Sequence, residues 1–252
     1  MFLILFFNHL MYSIEINNLV VNGYDWRFNV SPILKNLNLK VEKNQIFGFL
    51  WLNWAGKTTT INTILWNIKK KNWEIKLFWN KIDKNTIKRI WYSPDEAIFY
   101  DHLTWIEHLN FFGKLWSTNK ETIKERSENL LKKLWLEFAK NRKVSKYSKW
   151  MKQRLAVAIS LINEPELLLW DEPMSGLDPL GRKLIKDLML DLKNQWKTIF
   201  FSTHILSDVQ ELADEFAIIH EWKILVTEKV KNLKNNLEDF FISQIQKSNE
   251  IF

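Results

Sequence analysis

Residues 12–20, YSIEINNLV, alternate apolar and polar side chains, which is the period of a half-buried strand, and residues 33–41, ILKNLNLKV, alternate again. The run IFGFL at 46–50 has no polar face and reads as a buried strand. TTTINTILWNI follows, with apolar positions at helical spacing. Residues 73–79 and 87–92 predict two further short strands. Residues 102–140 are helical in pattern and charged, including KETIKERSENLLKKL, and 152–163 form another amphipathic helix. ELLLW at 166–170 is a buried strand, 181–195 are helical, and TIFFST at 198–203 is a buried strand ending at His204. Residues 205–214 are helical, FAIIHEWKIL has the pattern of a hairpin, and NLKNNLEDFFISQIQ reads as one amphipathic helix. Alternating strands and helices predict an α/β core, with the helical block 95–150 inserted between two core strands. No internal repeat or disordered linker interrupts the pattern.

Chemistry enters where the third strand ends. Residues 49–60 read FLWLNWAGKTTT, and Gly56-Lys57-Thr58-Thr59 is how a phosphate-binding loop closes. Strand, loop and helix supply the context that loop requires. In such a loop, backbone N–H groups and the helix N-terminus cradle phosphates. Lys57 reaches the β- and γ-phosphates, and the Thr58 hydroxyl ligates Mg²⁺. The start of the loop departs from the pattern: Trp51 stands at the first glycine position and Trp54 inside the loop. The second candidate is Asp171-Glu172 at the end of a buried strand, with Asp171 as a Mg²⁺-holding aspartate and Glu172 as a general base. A helix N-cap pair is the structural alternative for those two residues.

Composition sharpens the oddity in the loop. The 252-residue chain has 6 Gly, where average usage predicts about 18, and it has 14 Trp. Taken together the two counts come close to an ordinary glycine count. There is no Cys, which excludes disulfides and thiolate zinc sites. The net charge of +7 comes mostly from lysines spread along the whole chain, a compositional bias rather than a nucleic-acid patch. The apolar N-terminus MFLILFFNHL is too short to span a bilayer and lacks the basic region and cleavage site of a signal peptide. Met11 is expected to be the true start, with 1–10 an over-extended reading frame.

Six blocks in one order resemble the ATP-binding subunits of ABC transporters. They are LWLNWAGKTTT (50–60), SPDEAIFYDHLT (93–104), YSKWMKQRLAVA (147–158), LLLWDEP (167–173), SGLDP (175–179) and STHIL (202–206). The signature YSKWMKQR is similar to that of exporter ATPases. The resemblance implies an α/β P-loop NTPase core of ABC type, with an antiparallel β part and an inserted helical subdomain at about 95–155. It implies a nucleotide-binding domain over 11–228 and a C-terminal amphipathic helix over 229–252. It also implies ATP and Mg²⁺ as cofactors, two nucleotide-binding domains facing head to tail as a homodimer or heterodimer, a separate membrane permease as partner, no nucleic-acid partner, and a peripheral place at the cytoplasmic face of the membrane.

Carried over residue by residue, the loop is Trp51, Leu52, Asn53, Trp54, Ala55, Gly56, Lys57, Thr58 and Thr59. Tyr24 is similar to the residue that stacks on adenine. Ser148 and Trp150 hold the signature positions that contact the γ-phosphate across a dimer. Asp178 is the D-loop aspartate and His204 the switch histidine. Asp95 stands where the family has a glutamine. His102, His108 and His220 receive no role and are expected at the surface. Trp51, Trp54 and Trp150 occupy family glycines, as do Trp66, Trp73, Trp79, Trp91, Trp135, Trp196 and Trp222. Trp105 and Trp116 match glycines too, and Trp26 and Trp170 are less diagnostic. A gene that uses UGA for glycine, translated with a table that reads UGA as tryptophan, gives this pattern. Two other readings stay open: an ABC ATPase that acts on nucleic acid or the ribosome, and an inert interaction module if the tryptophans are real.

Overall fold

In the computed structural model, which describes residues 12–24, 30–51, 57–65, 74–116 and 118–249, the apolar run at 46–50 lies inside a six-stranded sheet. This strand, β3 (Ile46–Trp51), pairs in parallel with β8 (Thr198–Thr203) on one side and β9 (Glu215–His220) on the other. β7 (Leu167–Asp171) and β6 (Ile90–Ser93) extend the sheet in parallel beyond β8, and β10 (Lys223–Lys229) closes the far edge as the antiparallel arm of a hairpin with β9. A strand covered on both faces needs no polar positions, which is why these segments read as continuous apolar runs.

The two alternating segments at the N-terminus behave differently. β1 (Tyr12–Tyr24) pairs antiparallel with β2 (Val30–Glu42) and with β4 (Glu74–Leu77), and β4 pairs with β5 (Asn80–Lys81), giving a four-stranded sheet. Its apolar face, including Ile14, Ile16 and Leu39, packs on Phe47, Phe49 and Phe200 of the larger sheet. The rings of Phe47 and Phe200 stack with centroids 5.7 Å apart. The alternate positions Ile46, Leu50 and Phe201 face the second core, beneath the helices. α1 (Lys57–Ile64) follows β3, and the short α2 (Lys84–Ile87) begins on an Asp83 cap.

The inserted block holds α3 (Trp105–Leu115), α4 (Lys120–Lys133) and α5 (Lys149–Leu161). The pattern over 102–140 was continuous, but the helix stops at Leu115 and restarts on an Asn119 cap whose side chain accepts from Thr122 N–H. α3 begins in a capping box: Thr104 N–H donates to Glu107 at 2.7 Å while Thr104 Oγ1 accepts from Glu107 N–H. α6 (Pro179–Asn194), α7 (Leu206–Leu212) and α8 (Leu237–Asn249) complete the chain order. Within the tail segment, helix starts at Leu237, where the backbone N–H donates to Gln210. Among the described residues, no helix is long and apolar enough to cross a membrane.

His108 corrects a sequence expectation. It is fully buried, not a surface residue. Its Nε2 accepts from Tyr100 N–H at 3.1 Å and its Nδ1 lies 2.9 Å from Thr104 O, so the neutral ring ties the loop before α3 to the helix. Burial holds its pKa below the ordinary histidine value, against the hydrogen bond to Thr104 and the charge of Glu107.

Among the described residues, four tryptophans have left-handed backbone: Trp79 (φ 82°), Trp135 (φ 52°), Trp196 (φ 63°) and Trp222 (φ 66°). Two of them follow helix ends. Beyond α6, Trp196 N–H donates to Lys193 O at 2.9 Å and Lys197 N–H to Leu192 O at 3.1 Å. Beyond α4, Trp135 N–H donates to Lys132 O at 3.0 Å and Leu136 N–H to Leu131 O at 2.9 Å. Both are Schellman motifs, with tryptophan at the position that glycine ordinarily fills. The other two lie in two-residue hairpin turns. Phe78 and Trp79 both have positive φ between the paired Leu77 and Asn80. Glu221 and Trp222 do the same between His220 and Lys223. A turn with two positive φ angles strongly prefers glycine second.

Candidate active site

The carboxyl ends of parallel strands leave backbone groups and side chains free to meet, and in open α/β sheets sites form there. Three such ends converge in this sheet. β3 delivers Trp51 and, after the loop, Lys57 at the start of α1. β7 ends at Asp171, with Glu172 next, and β8 runs out through Ser202 and Thr203 to His204.

Lys57 Nζ lies 2.8 Å from Asp171 Oδ1, and both side chains are nearly buried. Ser202 links the two strand ends. Its hydroxyl donates to Asp171 in a very short contact and accepts from Glu172 N–H at 3.2 Å. Glu172 has φ 49°, an uncommon conformation for a side-chain-bearing residue, held by that bond and by a second from its N–H to Ser202 O. Its carboxylate is 6% exposed and meets His204 Nδ1 at 2.9 Å, while the His204 ring is 60% exposed. The Glu172 carboxylate is engaged by two side chains, His204 and the Trp51 indole, rather than by a helix N-terminus. Acidic side chains do cap helices elsewhere: Asp83 caps α2, and Asp178 Oδ1 accepts from Gly181 N–H at 2.7 Å to start α6.

Asp95 shares the field of this cluster. Burial raises its pKa above the ordinary carboxylate value, Asp171 raises it further, and Lys57 and Lys149 oppose the shift. Burial together with Asp171 and Asp95 pushes Tyr92 up to about 12. Two contributors were not singled out from the sequence. One is Ser202, two residues before His204 in a strand that otherwise reads as apolar filling. The other is Gln153, whose buried amide donates to Glu172 O at 3.4 Å and Pro173 O at 3.3 Å.

The signature residues stand on a separate element. Ser148 caps α5, accepting from Met151 N–H at 3.4 Å. Trp150 is half-buried, with the Arg154 guanidinium 4.4 Å from its ring centroid and Phe138 packed beside it. Leu52, Asn53, Trp54, Ala55 and Gly56 lie outside the described residues. Thr58 is placed in the first turn of α1 and Tyr24 at the end of β1, where it pairs with Val30, but neither side chain is described. Thr59 sits in the same turn of α1, where its carbonyl accepts from the Thr63 hydroxyl at 2.6 Å.

Trp51 stands among these side chains. Its indole N–H donates to Glu172 Oε1 at 3.1 Å, Lys57 Nζ sits over its ring 4.2 Å from the centroid, and its ring centroid is 6.0 Å from that of His204. The donor set of lysine, aspartate, glutamate and histidine suits a nucleotide phosphate with a hard divalent cation. The indole occupies the contacts that such a ligand needs.

Comparison with known proteins agrees with this geometry. The family model described as ABC transporter matches residues 34–175. An ABC transporter ATP-binding protein of Synechocystis is 38% identical over 232 residues, covering 90% of this chain, and the chain spans 64% of that relative's length. A bacitracin transport ATP-binding protein of Bacillus licheniformis is 37% identical over 219 residues, covering 85% of this chain and 71% of the relative. A lantibiotic transport ATP-binding protein of Streptococcus pyogenes is 33% identical and covers 84% of this chain and 91% of its own length. Among solved structures, the ATP-binding subunit of an ABC transporter superposes with a TM-score of 0.84 at 24% identity, covering 92% of this chain and 99% of that one. A dimeric ATP-binding cassette bound to ADP and phosphate superposes with a TM-score of 0.78 at 22% identity, over 86% of this chain and 98% of that one. The chain therefore belongs to the ATP-binding subunits of the ABC transporter family, the ATPase component of that class.

Proposed function

We propose that the natural protein carries glycine at 51, 54 and 150 and at the left-handed positions 79, 135, 196 and 222, and that in this form it hydrolyses ATP to drive an exporter-type permease. The observation that carries the ATPase part is the convergence of Lys57, Asp171, Glu172 and His204 at three strand ends. Glu172 takes a proton from the water that attacks the terminal phosphorus, and ADP leaves as the phosphorus–oxygen bond breaks. His204 orients Glu172 and answers to the phosphate, and Lys57 holds the β- and γ-phosphates. Asp171 and Thr58 are the residues that would hold Mg²⁺, which supplies charge neutralisation on those oxygens. Ser148 and residue 150 of a second domain complete the site across a dimer. The names of the bacitracin and lantibiotic relatives, together with the YSKWMKQR signature, support export and a separately encoded membrane partner. In this reading the nucleotide-binding domain runs over 11–228, with its helical subdomain at about 95–155, at the cytoplasmic face of the membrane.

The glycine part rests on backbone geometry. Trp79, Trp135, Trp196 and Trp222 fill the glycine slots of two Schellman motifs and two hairpin turns. An L-residue pays roughly 1–2 kcal/mol for such a conformation. Trp135 and Trp196 recover little of this by packing, being 53% and 76% exposed. Trp105 and Trp116 carry buried indole N–H groups without an acceptor among the described residues. UGA read as glycine in the source and as tryptophan in translation accounts for all these positions at once.

The test is peptide mass spectrometry of the protein from its native source, over the peptide ending at Lys57 and the one ending at Lys197. Glycine masses at 51, 54 and 196 are the expected result. Tryptophan masses at 51 and 54 would overturn the ATPase proposal and leave an ABC-fold interaction module whose Glu172 is tied to an indole.

A further inference from the structure

Away from the nucleotide site, a cavity of about 620 Å³ opens between the inserted helices and the core. α4 lines it together with α6, the end of α5 and the Glu164-Pro165 turn. The apolar part is four leucines: Leu130, Leu161, Leu188 and Leu192. Each is 6–8% exposed. The polar part is cationic, with Arg126, Lys132, Lys133 and Lys197 against the single lining carboxylate, Glu164. Glu164 is already taken: Arg126 Nη2 lies 2.6 Å from its Oε2, and Lys197 Nζ donates to its carbonyl oxygen at 3.0 Å. Among the described residues, Lys132 and Lys133 have no ion-pair partner. Burial holds the Lys197 ammonium below its ordinary pKa, Glu164 and Glu166 oppose this, and Arg126 adds repulsion. Four cations round an apolar floor, with one engaged carboxylate, are short of negative charge.

We infer that this cavity binds a single-chain amphipathic anion, with its hydrocarbon over the four leucines and its carboxylate or phosphate head among Arg126, Lys132, Lys133 and Lys197. The volume falls in the range of small-molecule pockets, roughly 300–1,000 Å³. A ligand there touches α4 of the inserted block and α6 of the core at once, and so ties the two together. No lining residue is a tryptophan, so the site stands apart from the glycine proposal.

Calorimetric titration of the full chain with decanoate, decanol and decylamine, each below its micelle concentration, tests this. Decanoate should saturate one site with a dissociation constant below about 1 mM. Decanol should bind on the order of tenfold more weakly and decylamine not measurably. Reversing the two exposed lysines, Lys132→Glu with Lys133→Glu, should weaken decanoate by about tenfold or more and leave decanol unchanged. Anionic-lipid vesicles form a further arm: a free amphiphile site leaves the chain unbound to them. The inference is overturned by absence of saturable decanoate binding, by equal affinity for the three probes, by a charge-reversed protein that binds decanoate like the parent, or by binding to vesicles alone.

Discussion

Two strands of the same sheet, separated by β8, each carry a tryptophan near the carboxyl end, and the two side chains stand in opposite circumstances. Trp170 on β7 is 1% exposed, lies in the core under the helices, and donates its indole N–H to Ser160 Oγ at 3.0 Å. Trp51 on β3 is half-buried, and the partners found for its indole are Glu172, Lys57 and His204. Trp170 is satisfied within the scaffold, by a serine hydroxyl that in turn donates to Val157 O at 2.6 Å. Trp51 is satisfied by the residues to which we assign the chemistry. This contrast, a bond made within the scaffold against one made to the groups assigned to catalysis, is what the proposal of glycine at 51 rests on.

The strongest way to break this contrast is turnover. The chain as written should hydrolyse no ATP, and the triple change Trp51→Gly, Trp54→Gly, Trp150→Gly should raise the steady-state rate by on the order of a hundredfold or more. In that background Glu172→Gln should lower kcat by about 10²–10⁴ while leaving ATP binding in place, read by nucleotide titration. Equal activity before and after the glycine changes would remove the distinction between the two tryptophans.

Stability comes next in size. Trp170→Ala should cost about 3–5 kcal/mol in chemical denaturation, because it opens a cavity in the core. Trp196→Gly should act in the other direction, raising stability by about 1 kcal/mol as the left-handed strain is relieved. A loss at 196 comparable with that at 170 would show the indole packing there after all.

The smallest effect sharpens the same contrast in two histidines. His108 is buried within the scaffold and His204 faces solvent at the site. Since the folded pKa of His108 lies below the unfolded value, the unfolded chain binds the proton more readily, and stability is complete above the unfolded pKa of about 6.5 and falls as pH drops below it. Denaturation midpoints between pH 7.5 and 5.5 should therefore decline, and His108→Gln should flatten the decline. His204→Ala should lower turnover in the glycine background and leave the midpoints alone.

Much of the architecture was readable along the chain. The alternation at 12–20 and 33–41 gave half-buried strands, and the unbroken apolar runs at 46–50, 166–170 and 198–203 gave the covered sheet, because burial on one face or on two is written directly in the side-chain period. The break between α3 and α4 was harder to see, since amphipathic spacing continues across it and the stop lies in the single cap of Asn119. The phosphate-loop and aspartate–glutamate segments were visible as motifs because their chemistry is local.

By itself, then, the sequence determined the order of strands and helices and the family's blocks, and it raised the question of tryptophan at the glycine positions of the loop. These depend on neighbours a few residues apart. Only the tertiary structure decided that Lys57 meets Asp171, that Glu172 is held between His204 and Trp51, that His108 is buried, and that leucines and lysines of α4 and α6 share a cavity. The contacts among Lys57, Asp171, Glu172, His204 and Trp51 join residues separated by tens to more than a hundred positions. They come from the parallel order of β3, β8 and β7, which is set by packing of whole faces and leaves no period in the chain to read.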